Sequence, residues 1–233
     1  MKIFIDSADV GAIEKCFKTG LVDGVTTNPS LILKSGRQPE DVYSDLARMG
    51  LHDISMEVVG TGDEMVTEGR RLFDKYKDIA TIKVPCTRGG LAACKILSSE
   101  GIRVNVTLIF NAAQAILSAK AGATYVSPFV GRLDDNSIAG LEVVRSIVDV
   151  YRAQGHFTTH VLAASIREVN RAVRCWYNGA QICTIPVKVF DQMYSHVLTD
   201  KGLDIFDRDW AEAQATIGKH GGDLDALDSI VGG

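Results

Sequence analysis

The sequence predicts an α/β fold, a single (β/α)8 barrel of the TIM type with an additional C-terminal helix. Eight short segments rich in β-branched residues alternate with helical segments, which is typical of βα units around a parallel sheet. The length of 233 residues suits one such barrel, and no linker, low-complexity tract or block of like charge divides the chain. We therefore treat residues 1–233 as one predicted domain, with the C-terminal helix and tail beginning at about residue 202.

The predicted elements alternate in chain order. The strands are expected at Lys2–Asp6, Gly24–Asn28, Ile54–Val58, Thr81–Val84, Val104–Leu108, Thr124–Pro128, His160–Ser165 and Gln181–Ile185. Helical patterns follow them, for example at Asp9–Phe17, Gly62–Tyr76, Leu91–Glu100, Ala112–Ala121, Gly140–Gln154 and Ile166–Asn178. Glycines lie where helices should stop, as C-terminal caps do, at Gly20, Gly101, Gly122, Gly155 and Gly179. One more helix is expected at Asp204–Ile217.

Composition and charge exclude several classes of function. The formal net charge of −4 predicts no general affinity for nucleic acid or for an anionic membrane. No apolar run approaches the length of a membrane span, and the N-terminus reads as a strand rather than a signal peptide. The five scattered cysteines have no CxxC or zinc-ligand spacing, which indicates reduced thiols and no metal. A doubly wound sheet is the structural alternative, but no GxGxxG or GxxxxGK[ST] loop supports it. We expect a soluble, cytoplasmic protein.

Lys83 is the most informative residue, because it lies inside the β-branched run Ala80–Pro85. Burying an ammonium group costs several kcal/mol unless the group is paired or loses its proton. A desolvated lysine that loses its proton can attack a carbonyl carbon and form a Schiff base. An isolated strand lysine, however, more often extends its head group into solvent. The other residues of the chain must therefore show whether Lys83 is a buried nucleophile or a solvent-exposed strand lysine.

Strand parity predicts a polar mouth for the barrel. Residues i and i+2 of a strand face the same side, so one parity lines the interior and the other packs against the helices. With Lys83 inward, the same alternation places the opposite parity, including Leu162 and Ala164, against the helices. The strand ends of a barrel are where barrel enzymes carry out their chemistry. The inward side chains at those ends are Asp6, Glu57, Asn105, Thr107, Ser127, Phe129 and Ser165.

Six short motifs follow one another over almost the whole chain. They are Phe4-Ile5-Asp6, Gly24-Val25-Thr26-Thr27-Asn28-Pro29-Ser30, Ile82-Lys83-Val84-Pro85, Asn105-Val106-Thr107-Leu108-Ile109-Phe110, Ser127-Pro128-Phe129-Val130-Gly131-Arg132 and Ala164-Ser165-Ile166-Arg167. In type and order they resemble the transaldolase family, in its short-chain branch that also contains fructose-6-phosphate aldolase. Six motifs in family order make a chance similarity improbable.

The resemblance implies a class I aldol mechanism through a Schiff base, without a metal or an organic cofactor. Lys83 would attack the C2 ketone of a sugar phosphate, and the resulting iminium would stabilise the carbanion left when the C3–C4 bond breaks. Asp6 would exchange a proton with the C4 hydroxyl. Glu57, with Thr107, would hold and activate the water used in forming and hydrolysing the imine.

The resemblance also implies the substrate contacts. Thr26 belongs to the substrate-binding set, and the bound three-carbon unit would be hydrogen-bonded by Asn28, Asn105 and Ser127. Phe129 would form an apolar wall beside the imine. The phosphate would be held by Arg132, Ser165 and Arg167, since the guanidinium fork can grip oxyanions through two hydrogen bonds.

Two positions favour one branch of the family. Transaldolases carry Glu and Phe where the aldolases carry Gln and Tyr, and this chain has Glu57 and Phe129. The resemblance therefore favours transfer of the dihydroxyacetone unit in the non-oxidative pentose phosphate pathway. A lyase that splits fructose 6-phosphate, and a non-catalytic phosphosugar-binding barrel, remain the alternatives. Short members of the family form homo-oligomers, commonly decamers, and the Asp204–Ile217 helix could reach a neighbouring copy or pack on its own barrel.

Overall fold

A computed structural model describes the backbone of residues 1–228 and the side-chain surroundings of residues 1–217; residues 229–233, the end of the predicted tail, lie outside the described residues. Parallel strands form a closed barrel in which each pairs with its neighbour in sequence and the first pairs with the eighth. The (β/α)8 prediction is confirmed. The strands are β1 (Lys2–Asp6), β2 (Gly24–Thr26), β3 (Ile54–Glu57), β4 (Ala80–Pro85), β5 (Val104–Ile109), β6 (Tyr125–Pro128), β7 (His160–Ala163) and β8 (Ile182–Ile185).

Helices follow the strands along the chain. Those of the described residues are α1 (Val10–Phe17), α2 (Pro29–Ser35), α3 (Pro39–Arg48), α4 (Gly62–Tyr76), α5 (Arg88–Ser99), α6 (Ala112–Lys120), α7 (Val130–Asp135), α8 (Gly140–Ala153), α9 (Val169–Tyr177), α10 (Val187–Gln192) and α11 (Val197–Asp228). The bounds of α4 are those predicted. Four helices, α2, α3, α7 and α10, have no counterpart among the predicted bounds. Two of these begin with a proline, which suits the first turn of a helix.

Three strands end earlier than predicted, β3 by one residue and β2 and β7 by two, and the departures of β2 and β7 shape the barrel mouth. The second strand stops at Thr26 because Asn28 caps α2, its Oδ1 accepting a hydrogen bond from the Leu31 backbone N–H at 3.0 Å. The seventh strand stops at Ala163, and Ser165 beyond it adopts a left-handed backbone with φ of 58°. The side chains of Asn28 and Ser165 are thereby set above the sheet rather than within it.

The barrel interior corrects the predicted parity of the seventh strand. Leu162 and Ala164 pack with other interior side chains of the barrel, whereas Val161 and Ala163 belong to the layer between strands and helices. The prediction requires the alternation to continue unbroken as far as Ser165. The left-handed backbone at Ser165 breaks that alternation, so Leu162 and Ala164 face inward, contrary to the prediction.

A polar network on Asp53 holds the barrel together below the mouth. The buried Asp53 carboxylate accepts hydrogen bonds from Thr81 Oγ1 at 2.8 Å and from the Tyr125 hydroxyl at 2.6 Å. Arg103 pairs with the same carboxylate at 2.8 Å. Burial, together with the charge of Asp53, raises the pKa of Tyr125. A paired and hydrogen-bonded carboxylate of this kind can tie neighbouring strands together without leaving an uncompensated charge.

The C-terminal segment forms a compact unit of its own. Residues 1–192 make up the first unit, and the segment from Met193 onwards makes up the second. Helix α11 begins earlier and ends later than the predicted Asp204–Ile217. Gly202 lies inside this helix, because a single glycine costs only about 1 kcal/mol in a helix interior. None of the helices described for the chain is long and apolar enough to cross a membrane.

Candidate active site

Lys83 lies in β4 with only 5% of its surface exposed. Its Nζ donates a hydrogen bond to the Thr27 backbone oxygen at 3.0 Å and forms an ion pair with Oε2 of Glu57 at 2.9 Å. The register of β3 and β4 puts Glu57 directly beside Lys83. A buried ammonium that contacts a carboxylate can pass it a proton, and the neutral amine that results is a nucleophile for carbonyl carbon.

Asp6 ends β1 and is linked to two threonines. Its Oδ1 accepts a hydrogen bond from Thr26 Oγ1 at 2.8 Å, and the Thr26 oxygen lies 2.6 Å from Thr184 Oγ1. Burial raises the pKa of the Asp6 carboxyl above its ordinary value, opposed by the Lys83 charge and the Thr26 hydrogen bond and aided by Glu57. Since a raised pKa brings a carboxyl group closer to neutral pH, Asp6 is suited to accept and return a proton.

An amide network lies on the other side of Lys83. Asn105 pairs with Lys83 in the register of β4 and β5 and is fully buried. Its Nδ2 donates to Ser55 Oγ at 3.2 Å, and its Oδ1 accepts from Ser127 Oγ at 2.7 Å. These two bonds fix the orientation of the Asn105 amide and hold the Ser127 hydroxyl at the barrel mouth.

A cavity of about 120 Å³ contains both Lys83 and Asp6. Larger clefts, among them two of about 530 and 590 Å³, contain neither residue, so the candidate site is identified by its reactive side chains and not by its size. Among the side chains of residues 1–217, no group of three or more His, Cys, Asp or Glu is arranged as metal ligands. The predicted site residues that line the cavity are Asp6, Thr26, Asn28, Lys83, Ser127, Phe129, Arg132 and Ser165.

Phe129 and Arg132 form one wall of this cavity. The Phe129 ring meets Phe110 edge-on with ring centroids 6.0 Å apart. The Arg132 guanidinium carbon lies 5.1 Å from the centroid of the same ring, a cation–π arrangement. The guanidinium is thereby held at the cavity, where its N–H groups can bind an anion.

Four predicted site residues do not line the cavity. Glu57 and Asn105 reach it through their hydrogen-bonded partners Lys83 and Ser127. The buried Oγ1 of Thr107 has no hydrogen-bond partner among the described residues and so makes no direct bond to Glu57. Thr107 lies on β5 just before a left-handed Leu108, with φ of 59°, where the register with β6 shifts.

Arg167 is the fourth and lies in a neighbouring groove of about 240 Å³. Ser165 lines both the groove and the Lys83 cavity, so the two are adjacent. Both terminal nitrogens of Arg167 donate to the Asp135 carboxylate. The structure therefore does not bring Arg167 into the Lys83 cavity, and its fork is occupied by a carboxylate.

Three groups at the site were not predicted. The Thr27 carbonyl accepts a hydrogen bond from Lys83, and the Ser55 hydroxyl accepts one from Asn105. The hydroxyls of Thr184 and Thr26 are hydrogen-bonded to each other. Strand parity could have found Thr184, since it lies on the inward parity of β8 two residues after Ile182. The Thr27 carbonyl has no sequence signal, because every residue carries a backbone oxygen.

Comparisons with known proteins add an independent line of observation. The profile of a family described as "Transaldolase/Fructose-6-phosphate aldolase" matches residues 3–227 of this chain. A protein of Cereibacter sphaeroides called "Probable transaldolase" is 51% identical over 218 residues, 93% of this chain and 99% of that protein. A "Probable transaldolase" of Paracoccus denitrificans is 51% identical over 213 residues, 91% and 97% of the two chains. Another, of an Anaeromyxobacter species, is 49% identical over 210 residues, 90% and 97% of the two chains.

Proposed function

Since this chain belongs to the transaldolase/fructose-6-phosphate aldolase family, we propose that it is a transaldolase acting on sugar phosphates. It transfers a dihydroxyacetone unit from sedoheptulose 7-phosphate or fructose 6-phosphate to glyceraldehyde 3-phosphate or erythrose 4-phosphate. The observation that carries the proposal is the buried Lys83 amine, which contacts Glu57 and shares a cavity with Asp6. The reaction belongs to carbohydrate metabolism, in the cytoplasmic non-oxidative pentose phosphate pathway.

The reaction begins at Lys83. Its ammonium passes a proton to Glu57, whose Oε2 is 2.9 Å away, and the amine attacks the C2 ketone of the donor. The carbinolamine then loses water and becomes an iminium, the Schiff base. Glu57 and Thr107 hold the water that is exchanged in this step and in the final hydrolysis. The unpartnered Thr107 hydroxyl supports this role, because a buried hydroxyl gains stability from a hydrogen-bond partner.

Bond cleavage depends on Asp6. The carboxylate takes the proton of the C4 hydroxyl, the C3–C4 bond breaks, and its electron pair enters the iminium to form an enamine. The aldose phosphate leaves, and the dihydroxyacetone unit stays bound to Lys83. When an acceptor aldehyde enters, the enamine carbon attacks it, and Asp6 returns the proton to the new hydroxyl. The raised pKa of Asp6 suits both directions of this proton transfer.

The bound sugar phosphate is held at both ends. Asn28 uses its Oδ1 to cap α2, so its Nδ2 is left to donate to a hydroxyl of the three-carbon unit. Ser127 and Asn105 face the same unit. Arg132, Ser165 and Arg167 bind the phosphate, and a bidentate guanidinium–phosphate contact gives this end its specificity.

Phe129, at one wall of the cavity, favours transfer of the dihydroxyacetone unit over its release. Phe129 has no hydroxyl with which to position water or protonate the enamine, so the dihydroxyacetone unit waits for an aldehyde. The alternative is a fructose-6-phosphate aldolase, which releases dihydroxyacetone and glyceraldehyde 3-phosphate. We also propose that the protein is a homo-oligomer of up to decameric size, in which the C-terminal helix reaches a neighbouring copy.

The deciding experiment supplies fructose 6-phosphate with and without erythrose 4-phosphate. We expect sedoheptulose 7-phosphate and glyceraldehyde 3-phosphate to form only when the acceptor is present. Comparable turnover without erythrose 4-phosphate would identify a lyase. No turnover under either condition, together with binding of the sugar phosphate, would identify a non-catalytic barrel.

The pH dependence of the reaction tests whether the hydrogen bond from Thr26 lowers the pKa of Asp6. The Thr26 hydrogen bond lowers the pKa of Asp6, so Thr26→Val is expected to raise that pKa further. Asp6 must be ionised to act as base, and the acidic limb of the kcat/KM profile should therefore move to higher pH. Thr81→Val removes a buried hydroxyl that bonds Asp53 instead and should leave the limb in place. A limb that stays or moves to lower pH in Thr26→Val would contradict this role.

Phe129→Tyr tests the balance between transfer and release. The added hydroxyl can position water or donate a proton, so we expect dihydroxyacetone release without acceptor to rise at least about ten-fold. The measurement is the acceptor-free rate of glyceraldehyde 3-phosphate formation. Phe110→Tyr is the matched control, since Phe110 contacts Phe129 but does not line the cavity. An equal rise in both variants would mean that the position of the hydroxyl is irrelevant.

A further inference from the structure

The two arginines assigned to the phosphate differ in what they contact. The Arg132 guanidinium lies over the Phe129 ring at the cavity, and within the described part of the chain it forms no ion pair with a carboxylate. Arg167 instead donates from both terminal nitrogens to the two carboxylate oxygens of Asp135. One arginine is thus ready to bind an anion, whereas the other already holds one.

The position of Asp135 makes this pairing relevant to the site. Asp135 is the last residue of α7, three residues after Arg132, and Arg167 lies between β7 and α9. The pair therefore joins two segments that follow neighbouring strands at the barrel mouth. The groove that contains it shares Ser165 with the Lys83 cavity. A phosphate held by Arg132 and Ser165 would lie next to the Arg167–Asp135 pair.

The pair is accessible enough to exchange. The side chains of Arg167 and Asp135 are 59% and 44% exposed, and ion pairs in such surroundings are weak. A phosphate that binds Arg167 end-on, through one hydrogen bond from each terminal nitrogen, needs the same two nitrogens that Asp135 occupies. Phosphate and Asp135 carboxylate are therefore mutually exclusive partners for this edge of the guanidinium. Once displaced, the carboxylate is a negative charge close to the bound phosphate.

We propose that Asp135 is an internal competitor of the substrate phosphate for Arg167 and so sets the affinity for phosphorylated sugars. This rests on the proposed function, which places Arg167 at the phosphate. The other charges of the groove do not replace Asp135. Asp134 pairs with Arg171 and accepts a hydrogen bond from the Gly140 backbone, and Glu168 also pairs with Arg171. Removing the Asp135 charge therefore frees Arg167.

The test is Asp135→Asn, a variant of nearly unchanged shape without the charge. We expect the Kd for inorganic phosphate, measured by titration calorimetry, to fall about two- to five-fold. The KM for fructose 6-phosphate should fall by a similar factor, whereas turnover of unphosphorylated fructose should not change. A weaker affinity for phosphate would show that Asp135 orients Arg167, and an unchanged affinity that it plays no part. Either result overturns the proposal.

Glu168→Gln is the matched control. It removes the same charge from the same groove, but its partner is Arg171 rather than Arg167. We expect its phosphate affinity to stay at the level of the unmodified protein. A gain equal to that of Asp135→Asn would mean that the general field of the groove acts on phosphate, and competition for Arg167 would be rejected. Thermal melting of each variant shows whether it is folded.

Failure of the proposed competition for Arg167 can be told apart from failure of the proposed transfer activity. Calorimetry with inorganic phosphate needs no turnover, so it tests the competition even if the protein transfers no dihydroxyacetone. Absence of transfer would reject the proposed function while the phosphate measurement stands. Arg167→Gln should weaken phosphate binding and cancel the effect of Asp135→Asn in the double variant. If Arg167→Gln leaves phosphate affinity unchanged in an active enzyme, the competition is rejected and the transfer activity is not.

Discussion

Replacing Lys83 with methionine is expected to lower the rate of dihydroxyacetone transfer by at least about 10⁴-fold. Methionine fills a similar volume but has no amine to attack the C2 ketone, so neither the Schiff base nor the enamine can form. The measurement is the rate of sedoheptulose 7-phosphate formation from fructose 6-phosphate and erythrose 4-phosphate. A loss of less than ten-fold would show that the reaction does not pass through Lys83.

Borohydride trapping locates the reacting amine directly. Treatment with fructose 6-phosphate and borohydride should add a three-carbon unit to Lys83, identified by peptide mass spectrometry, and Lys83→Met should show no adduct. Lys188→Met is the matched control, because Lys188 is exposed on α10 just beyond β8. Its activity and its adduct should be those of the unmodified protein. An adduct on Lys188 would overturn the mechanism.

Loss of folding has to be separated from loss of chemistry. Lys83→Met leaves the Glu57 carboxylate, whose side chain is only 13% exposed, without its cation. Removing one partner of a buried ion pair typically costs about 3–5 kcal/mol of the free energy of unfolding. The double variant Lys83→Met/Glu57→Gln removes that unpaired charge. It should regain stability in urea titrations while remaining inactive.

Asp6→Asn is the second change with a large expected effect. Asparagine keeps the shape of the side chain and can still accept the Thr26 hydrogen bond, but it cannot exchange a proton with the C4 hydroxyl. We expect kcat for transfer to fall by about 10²–10⁴-fold, the usual contribution of a general acid–base group. Borohydride should still trap the donor on Lys83, now as the uncleaved six-carbon fructose 6-phosphate adduct, because imine formation does not need Asp6 whereas cleavage does. A kcat within ten-fold of the unmodified protein would exclude Asp6 as the base.

Asp9→Asn is the matched control for Asp6→Asn. Asp9 lies three residues further along and caps α1, its Oδ1 accepting a hydrogen bond from the Ala12 backbone N–H at 3.0 Å. Asparagine caps helices about as well as aspartate, so this variant should fold normally. It removes the same charge from the same segment without touching the Lys83 cavity. We therefore expect its kcat to be unchanged.

Asp6→Asn should also change the stability of the protein. Burial raises the pKa of Asp6 in the folded protein above the value in the unfolded chain. The stability that this shift provides is complete below the unfolded pKa and is lost as the pH rises through the folded pKa. At neutral pH the buried charge is therefore unfavourable, and Asp6→Asn should melt at the same or a higher temperature. A lower melting temperature would mean that the Asp6 charge stabilises the fold.

Most of the fold could be derived from local patterns, because most strands and several helices are determined mainly by their own residues. The bounds of β1 and α4 were predicted without error. Helices α2 and α3 were not, because proline at the start of a segment reads equally well as a turn. The parity error on β7 has a similar origin, since the left-handed backbone of Ser165 depends on its surroundings.

The sequence by itself determined which chemical groups this protein has at the barrel mouth, and in which order. A lysine in a β-branched run, carboxylates at strand ends and six ordered motifs indicated imine chemistry, because each of these signals is local to a few residues. Only the tertiary structure decided which groups touch. Sheet register sets Glu57 against Lys83, barrel closure brings Thr184 to Thr26, and Arg167 is paired with Asp135 outside the cavity. Each of these contacts joins residues far apart in the chain, and their distances depend on how all eight strands close together.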